Sequence, residues 1–359
     1  MLVHICCSVD SHYFLQKLQE DFPNEKLTGF FYDPNIHPYS EYRLRFEDVK
    51  HSCELLDIEL LEGEYDIDTW MKLVKGLENE PEKGDRCTVC FDRRLEVSVH
   101  KAKELGHDSF TTSLLISPKK SQDKLEIIGS KLEEKTGCKW IFKDYRAGNG
   151  VQIQGVEVKE NQLYRQNYCG CLFGLTQQRE HQDKLMDEMF TPINNQIVPE
   201  SIEERLELYR QRNRLKKENK KFQIIKERFL NYRQMSGKVT LDKKIIPSYF
   251  FAYSTLQNGR MNGRIEYAIK DIHYLNRNEV KVIDIKKFNS LANTNYKNVN
   301  ELLYSPLSFS DELKVRNEIL NSPYDLSTIV VIDEIIDGKF EINLESKTYD
   351  DVRETIILL

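Results

Sequence analysis

Six of the eight cysteines in this chain fall into three close pairs: Cys6 and Cys7 in HICCSVDS, Cys87 and Cys90 in DRCTVCFD, and Cys169 and Cys171 in YRQNYCGC. Closely spaced thiols either grip a soft metal centre together or exchange two electrons as a dithiol and disulfide. The remaining two, Cys53 and Cys138, stand alone in a helical pattern and a turn and read as small buried hydrophobes. No cysteine lies beyond Cys171, so the chemistry is expected in the first half of the 359 residues.

Each pair has a physical logic of its own. Adjacent side chains on a regular strand point to opposite faces, so Cys6 and Cys7 can share a centre only if the backbone leaves strand geometry between them. A strand-to-helix turn does this, and its free N–H groups and positive helix end favour thiolates. CxxC at a helix start has the same advantage, with spacing suited to two ligands on one centre. Four such thiolates could hold a structural zinc or an iron–sulfur cluster. Position at the working edge of a sheet, rather than on hairpin knuckles, favours a working cluster. In CGC the single glycine allows either a strained, readily reduced disulfide or two thiolates on one metal. Asp10, three residues after Cys7, fits a helix N-terminus; beside a thiolate-bound centre its hard oxygen could also ligate a further iron or position a proton. Tyr168 is a second, weaker candidate for proton delivery, and Lys119 with Lys120 could contact phosphates from a loop at the same edge.

Elements must bring these residues together. Strand-like LVHI is followed by a helix with Phe14, Leu15, Leu18 and Phe22 on one stripe, then strand-like KLTGFFY. A helix through Leu44, Val49, Cys53 and Leu56, strand-like IELLEG, and helices through DTWMKLVKGLE and RCTVCFDRRLEVSVHKAKELG follow, the last stopping at Gly106. SFTTSLL, DKLEIIGSKLEEKTG and KWIFKDY complete the series as strand, helix and strand. This alternation predicts an α/β unit, a parallel sheet with helices on both faces whose ligands sit beyond the C-terminal strand ends.

The rest of the chain differs. Two domains are expected from length alone. We divide it into a catalytic metal-binding α/β domain at 1–178, a basic helical connector at 179–236 and a small α+β domain at 237–359. Between Glu203 and Lys244 there are fourteen Lys or Arg against six Asp or Glu, suited to touching a nucleic-acid backbone. The overall formal charge of −6 argues against a protein that coats nucleic acid. No apolar run reaches about 18 residues and no signal-peptide pattern opens the chain, so a cytoplasmic protein with no membrane partner is expected.

The series HICC, YDPNIHPYSEY, YDIDTWMKLVKGLENEPEKGDRCTVCFDRRLE, TTSLLISPKKS and YRQNYCGC resembles the QueH family of cobalamin-independent epoxyqueuosine reductases over about residues 1–175. The resemblance implies an adenine nucleotide alpha-hydrolase-like, Rossmann-like fold. It also implies reduction of the epoxide of epoxyqueuosine at the wobble position of tRNAs with a GUN anticodon, giving queuosine. By the same resemblance Cys6, Cys7, Cys87 and Cys90 bind a [4Fe–4S] cluster, and Cys169 with Cys171 are a redox-active, catalytic pair. Asp10 would act in catalysis beside an additional mononuclear iron, with electrons from a donor such as a ferredoxin or flavodoxin. Many members read CCAPC where this chain has Asp10 in place of the third cysteine, so that thiol is not essential here. Fold relatives that cleave ATP carry SGGxDS at this turn; CCSVDS puts Cβ atoms where phosphate needs bare backbone, so ATP is not expected, and the resemblance implies that cobalamin is not used either. Two rivals remain: an ATP-dependent tRNA thiolase of the same fold, and a non-enzymatic RNA-binding module stapled by zinc.

Overall fold

The structure, a computed structural model, describes every residue except Lys119, Thr191, Ile193, Asn195 and Asn278. It contains two compact units. The first comprises Met1–Met189, Arg205–Ile224 and Ile356–Leu359, and the second Phe190–Glu204 with Ile225–Thr355.

The first unit is wound around β1 (Leu2–Ile5), whose side chains are all fully buried, as a central strand covered on both faces requires. It continues through α1 (Ser8–Asp21), β2 (Thr28–Phe31), α2 (Tyr39–Leu55), β3 (Glu59–Glu62), α3 (Ile67–Leu73), α4 (Asp85–Glu104), β4 (Ser109–Thr112), α5 (Gln122–Thr136), β5 (Lys139–Trp140), α6 (Gly150–Glu160) and α7 (Leu172–His181). The expected alternation is all present. The strands form one sheet in the order β3-β2-β1-β4-β5, with every pairing parallel. The order reverses direction between β1 and β4, which opens a crevice beyond their C-terminal ends. Cys6 and Cys7 follow β1 directly, so the first cysteine pair stands at that switch point. Gly106, at φ +75°, follows the end of α4 in the left-handed conformation that a closing glycine adopts without a Cβ penalty.

Beyond α7 the helical expectation holds only in part. Helix α8 (Ile202–Lys217) is present, but the expected helical connector does not run on to residue 236: Phe222–Leu241 is a long strand, β6. Asn219, at φ +53°, breaks the helix. The β-formers Ile224, Ile225, Phe229, Tyr232 and Val239 were masked by interleaved charges, and strand preference depends on a partner that sequence-local patterns do not reveal. The basic segment is also divided, since Arg205–Ile224 belongs to the first unit and the residues after it to the second.

The second unit is α+β. Its strands β7 (Lys244–Ile246), β8 (Ser248–Phe250), β9 (Arg260–Gly263), β10 (Ile265–Ile269), β11 (Ile272–Leu275) and β12 (Val280–Asp284) precede α9 (Ile285–Ala292), α10 (Val299–Tyr304) and α11 (Phe309–Leu320), with β13 (Thr328–Ile332) and β14 (Phe340–Leu358) last. They form sheets ordered β10-β11-β12-β13-β8 and β7-β6-β14-β9. Among the described residues no helix is long and apolar enough to cross a membrane.

Packing beneath the switch point is tight. A Cβ on Gly129 of α5 would overlap the indole of Trp140 on β5. Alanine raises helix propensity by about 1 kcal/mol, yet an overpacked core costs about 1–3 kcal/mol, and here the ring has no open side. We therefore expect Gly129→Ala to lower the melting temperature of the whole chain in calorimetry; an unchanged or higher value would show that Trp140 can move aside.

Candidate functional site

At the end of β1 the chain turns through Cys7, whose backbone is extended (φ −166°, ψ 154°), and enters α1 at Ser8. This departure from strand geometry brings the sulfurs of Cys6 and Cys7 to 3.7 Å. Asp10 in the first turn of α1 joins them, and the three ligand atoms lie within 4.8 Å of one another. Asp10 Oδ1 accepts from Gln154 Nε2 of α6 at 3.0 Å. Burial pushes the Asp10 carboxyl above its usual range, against hydrogen bonds from Cys7, Gln154 and Ser117 and the charge of Lys120. The hydrogen bond with Cys6, then burial and the Asp10 charge, push the Cys7 thiol well above its normal value.

The second pair opens α4. Cys87 lies in its first turn, where its sulfur accepts from Lys83 N at 3.3 Å, and Cys90 follows one turn later. Buried Arg86 shapes the preceding loop by donating to the carbonyls of Leu77, Glu78 and Glu80 at 3.1, 2.8 and 2.6 Å. Cys90 packs with Trp70, Val74 and Cys171, and burial pushes its thiol up to about 12. One turn further, Arg94 pairs with Asp33 and donates Nε to His4 Nε2 at 3.3 Å. Burial opposes the Arg94 charge, but Asp33 first, then the charges of Cys90, Cys6 and Cys169, hold the guanidinium firmly protonated.

The third pair precedes α7. Gly170, at φ +104°, has Ile36 and the Arg45 guanidinium against the position of a Cβ, so no other residue fits between the two thiols. Arg45 of α2 holds this loop by donating to the carbonyls of Tyr168 and Cys169, each at 3.0 Å. Burial of the Cys169 sulfur opposes its ionisation, but the Lys120 ammonium, 3.1 Å away, and Arg94 outweigh that and hold the thiol below its usual range. Cys171 is pushed the other way, by burial and by the neighbouring Cys169. The two thiols of the pair are therefore unequal.

A cavity of about 190 Å³ opens over this ground, lined among others by Cys6, Asp10, Arg94, Lys120, Gln154 and Cys169. All eight cysteines are free. Among the described residues Cys6, Cys7 and Asp10 alone stand close enough to share one ion, a donor set that suits a thiolate-bound metal; Cys87 and Cys90 lie outside that group, and Arg94 and Lys120 could balance the charge of metal-bound thiolates.

Some expectations change. Of the two lysines expected at phosphates, Lys120 donates to Cys169 Sγ and lies over the ring of Phe91, while Lys119 lies outside the described residues. The Tyr168 hydroxyl donates to the His37 carbonyl at 2.5 Å, so it is occupied in holding a loop. Cys53 and Cys138 are buried in the core of the first unit, as small hydrophobes. Apolar spacing does not reveal the supporting charges: Glu41, Arg45 and Asp48 of α2, at i, i+4 and i+7 in EYRLRFED, share its buried inner face.

The family model for Epoxyqueuosine reductase QueH matches residues 1–177. An epoxyqueuosine reductase QueH of Helicobacter pylori is 38% identical over 96% of this chain and 97% of its own. The chain belongs to the QueH family. As a member it is an epoxyqueuosine reductase, an oxidoreductase of queuosine biosynthesis in tRNA. Another QueH, from Thermotoga maritima, is 40% identical over 92% of its own length but only 50% of this chain. Among solved structures, the U34-tRNA thiolase NcsA from Methanococcus maripaludis with its [4Fe-4S] cluster aligns over 60% of this chain and 73% of its own, with 14% identity and a TM-score of 0.31, too slight a likeness to argue from.

The Lys120 contact makes a specific prediction for this QueH. Without the ammonium, burial prevails and the Cys169 thiol titrates higher, so less thiolate exists at neutral pH. Lys120→Met should slow alkylation of Cys169 by iodoacetamide severalfold at pH 7, followed by peptide mass spectrometry, with the deficit closing as pH rises. An unchanged rate would remove Lys120 from this role.

Proposed function

We propose that the cavity at the β1–β4 switch point is where this QueH reduces epoxyqueuosine, presented as the turned-out wobble nucleotide of a tRNA with a GUN anticodon. The observation that carries this reading is the convergence of the three pairs: Cys6 and Cys169 line one cavity with Arg94 and Lys120, and Cys90 packs against Cys171. Chemistry on a base within a folded RNA requires the base to leave its stack and enter such a pocket.

Cys6, Cys7, Cys87 and Cys90 would hold a [4Fe–4S] cluster, with Asp10 beside it able to ligate a further iron through a harder oxygen. When bound, such a centre supplies single-electron transfer and Lewis acidity. The chain's own residues account for the rest. Removal of the epoxide oxygen breaks both ring carbon–oxygen bonds, forms the carbon–carbon double bond of the cyclopentene, and consumes two electrons and two protons to release water. On closing to a disulfide Cys169 and Cys171 give up the two electrons, and with Cys169 reacting as the thiolate the two protons come one from the Cys171 thiol and one from the Asp10 carboxyl. Lys120 favours the thiolate of Cys169, and its charge with that of Arg94 can stabilise oxyanion character as the epoxide opens. As the alternative to ligating iron, Asp10 can donate a proton here, since burial raises its carboxyl above the usual range. An electron donor such as a ferredoxin or flavodoxin would then reopen the disulfide.

We also read the fold as adenine nucleotide alpha-hydrolase-like, a reading supported by the parallel sheet and by CCSVDS in the place of SGGxDS. The phosphate cradle has become a thiol cradle. Cβ atoms of Cys7 and Ser8 obstruct the close backbone approach that ATP needs.

Cys87→Ala should lose both acid-labile sulfide and epoxide reduction, measured by iron and sulfide quantification after anaerobic purification and by mass spectrometry of the nucleoside. The native protein should yield a product lacking one oxygen. A product carrying sulfur in place of oxygen would support the thiolase, zinc without iron or sulfide the RNA-binding module, and full turnover by sulfide-free protein would end the cluster reading.

A further inference from the structure

Helix α8 lies outside the residues that the family model matches, yet its Arg212 has no exposed surface. Its guanidinium donates through Nη1 to Asp48 Oδ1 at 2.6 Å and to the Gln162 carbonyl at 2.7 Å, and lies 4.8 Å from the Tyr209 ring centroid. One turn on, Lys216 donates to the Asn161 carbonyl at 2.7 Å. Two cations at i, i+4 thus hold the carbonyls of Asn161 and Gln162, just past the end of α6, the helix whose Gln154 lines the cavity and holds Asp10. Asp48 is the hub of this contact. Its other oxygen accepts from the Ser8 hydroxyl, next to Cys7, and from Tyr164 N at 2.9 Å, five residues before Cys169.

We propose that Arg212 is a positioning residue for epoxide reduction: through Asp48 it fixes the Cys7–Ser8 turn relative to the segment that leads to Cys169, making α8 part of the catalytic unit. A carboxylate in this place needs a permanent cation, because a lone buried charge takes up water or swings outward and releases whatever it held. While Nη1 meets Asp48 and Gln162, Nε and Nη2 donate to Asn213 Oδ1 at 3.0 and 2.7 Å, a three-nitrogen span that a single ammonium cannot match in geometry. Arg212 itself cannot touch RNA from this position, so its effect reaches substrate only through the thiols it aligns. The inference rests on the reading that those thiols act together on one substrate.

The test uses the full-length protein, purified anaerobically, as Arg212→Met and Arg212→Lys. Hydrogen exchange by mass spectrometry reads peptides covering residues 8–14 and 160–168 against a reference at 125–132 in α5. The proposal expects exchange in the first two segments to quicken by about tenfold in Arg212→Met and less in Arg212→Lys, with the reference unchanged. It also expects kcat to fall by at least about fivefold with KM for tRNA kept, as befits loss of alignment rather than of binding. Equal acceleration of all three segments, or of none, would overturn it, as would a raised KM with kcat retained. If Arg212→Met does not fold, the same comparison in Arg212→Lys decides. Exchange is read without turnover, so a failure of the proposed chemistry is distinguishable from a failure of this tie.

Discussion

Arg94 is a full positive charge with almost no access to water, and the end of the first unit that carries the Cys6–Cys7 turn and the cavity is arranged around it. Its helix also carries Cys87 and Cys90, its carboxylate partner Asp33 follows β2, and its Nε reaches His4 on β1. A buried guanidinium is tolerated only where opposite charge and hydrogen-bond acceptors surround it. That requirement brings β1, β2 and α4 to one point. Anything that loaded the thiols with negative charge would sit against a cation already in place.

The same desolvation explains the unequal thiols. Cys90 and Cys7, among apolar or acidic neighbours, are driven toward the neutral form, whereas Cys169 has Lys120 beside it and is driven toward thiolate. Without an ammonium at hydrogen-bond distance, burial would win at Cys169 as it does at Cys90. Buried thiols of the first kind become good ligands when a metal takes the place of the proton. A thiol of the second kind is ready to attack or exchange on its own. Residues of one type therefore take different work from their surroundings.

Polar contacts inside the unit are held by α2. Glu41 accepts from Arg45 and from the Tyr164 hydroxyl, Arg45 holds the Cys169 loop, and Asp48 ties the α1 start to the Tyr164 backbone and to Arg212. A helix face with three charged residues would normally face solvent. Here each charge meets a partner supplied from elsewhere in the chain, so burial is compensated. This is also why their importance was hidden: an inner face is inferred from apolar spacing, and charged residues on it are assigned to the outside by default.

Sequence alone determined the α/β alternation of the first unit, the parallel sheet and the three cysteine pairs at its working edge, because periodicity, turn residues and cysteine spacing are local properties. The CGC glycine and the Gly106 stop are of this kind. Tertiary structure decided which charges stand beside those sulfurs: Lys120 turned inward, Arg94 at the centre, Arg212 arriving from a helix beyond the family match. It also decided that Phe222–Leu241 is a strand, since an extended segment with mixed charges gains its stability from a neighbour distant in the chain. Local spacing can name the thiols, but the field around a thiol is the sum over residues that only folding brings within a few ångströms.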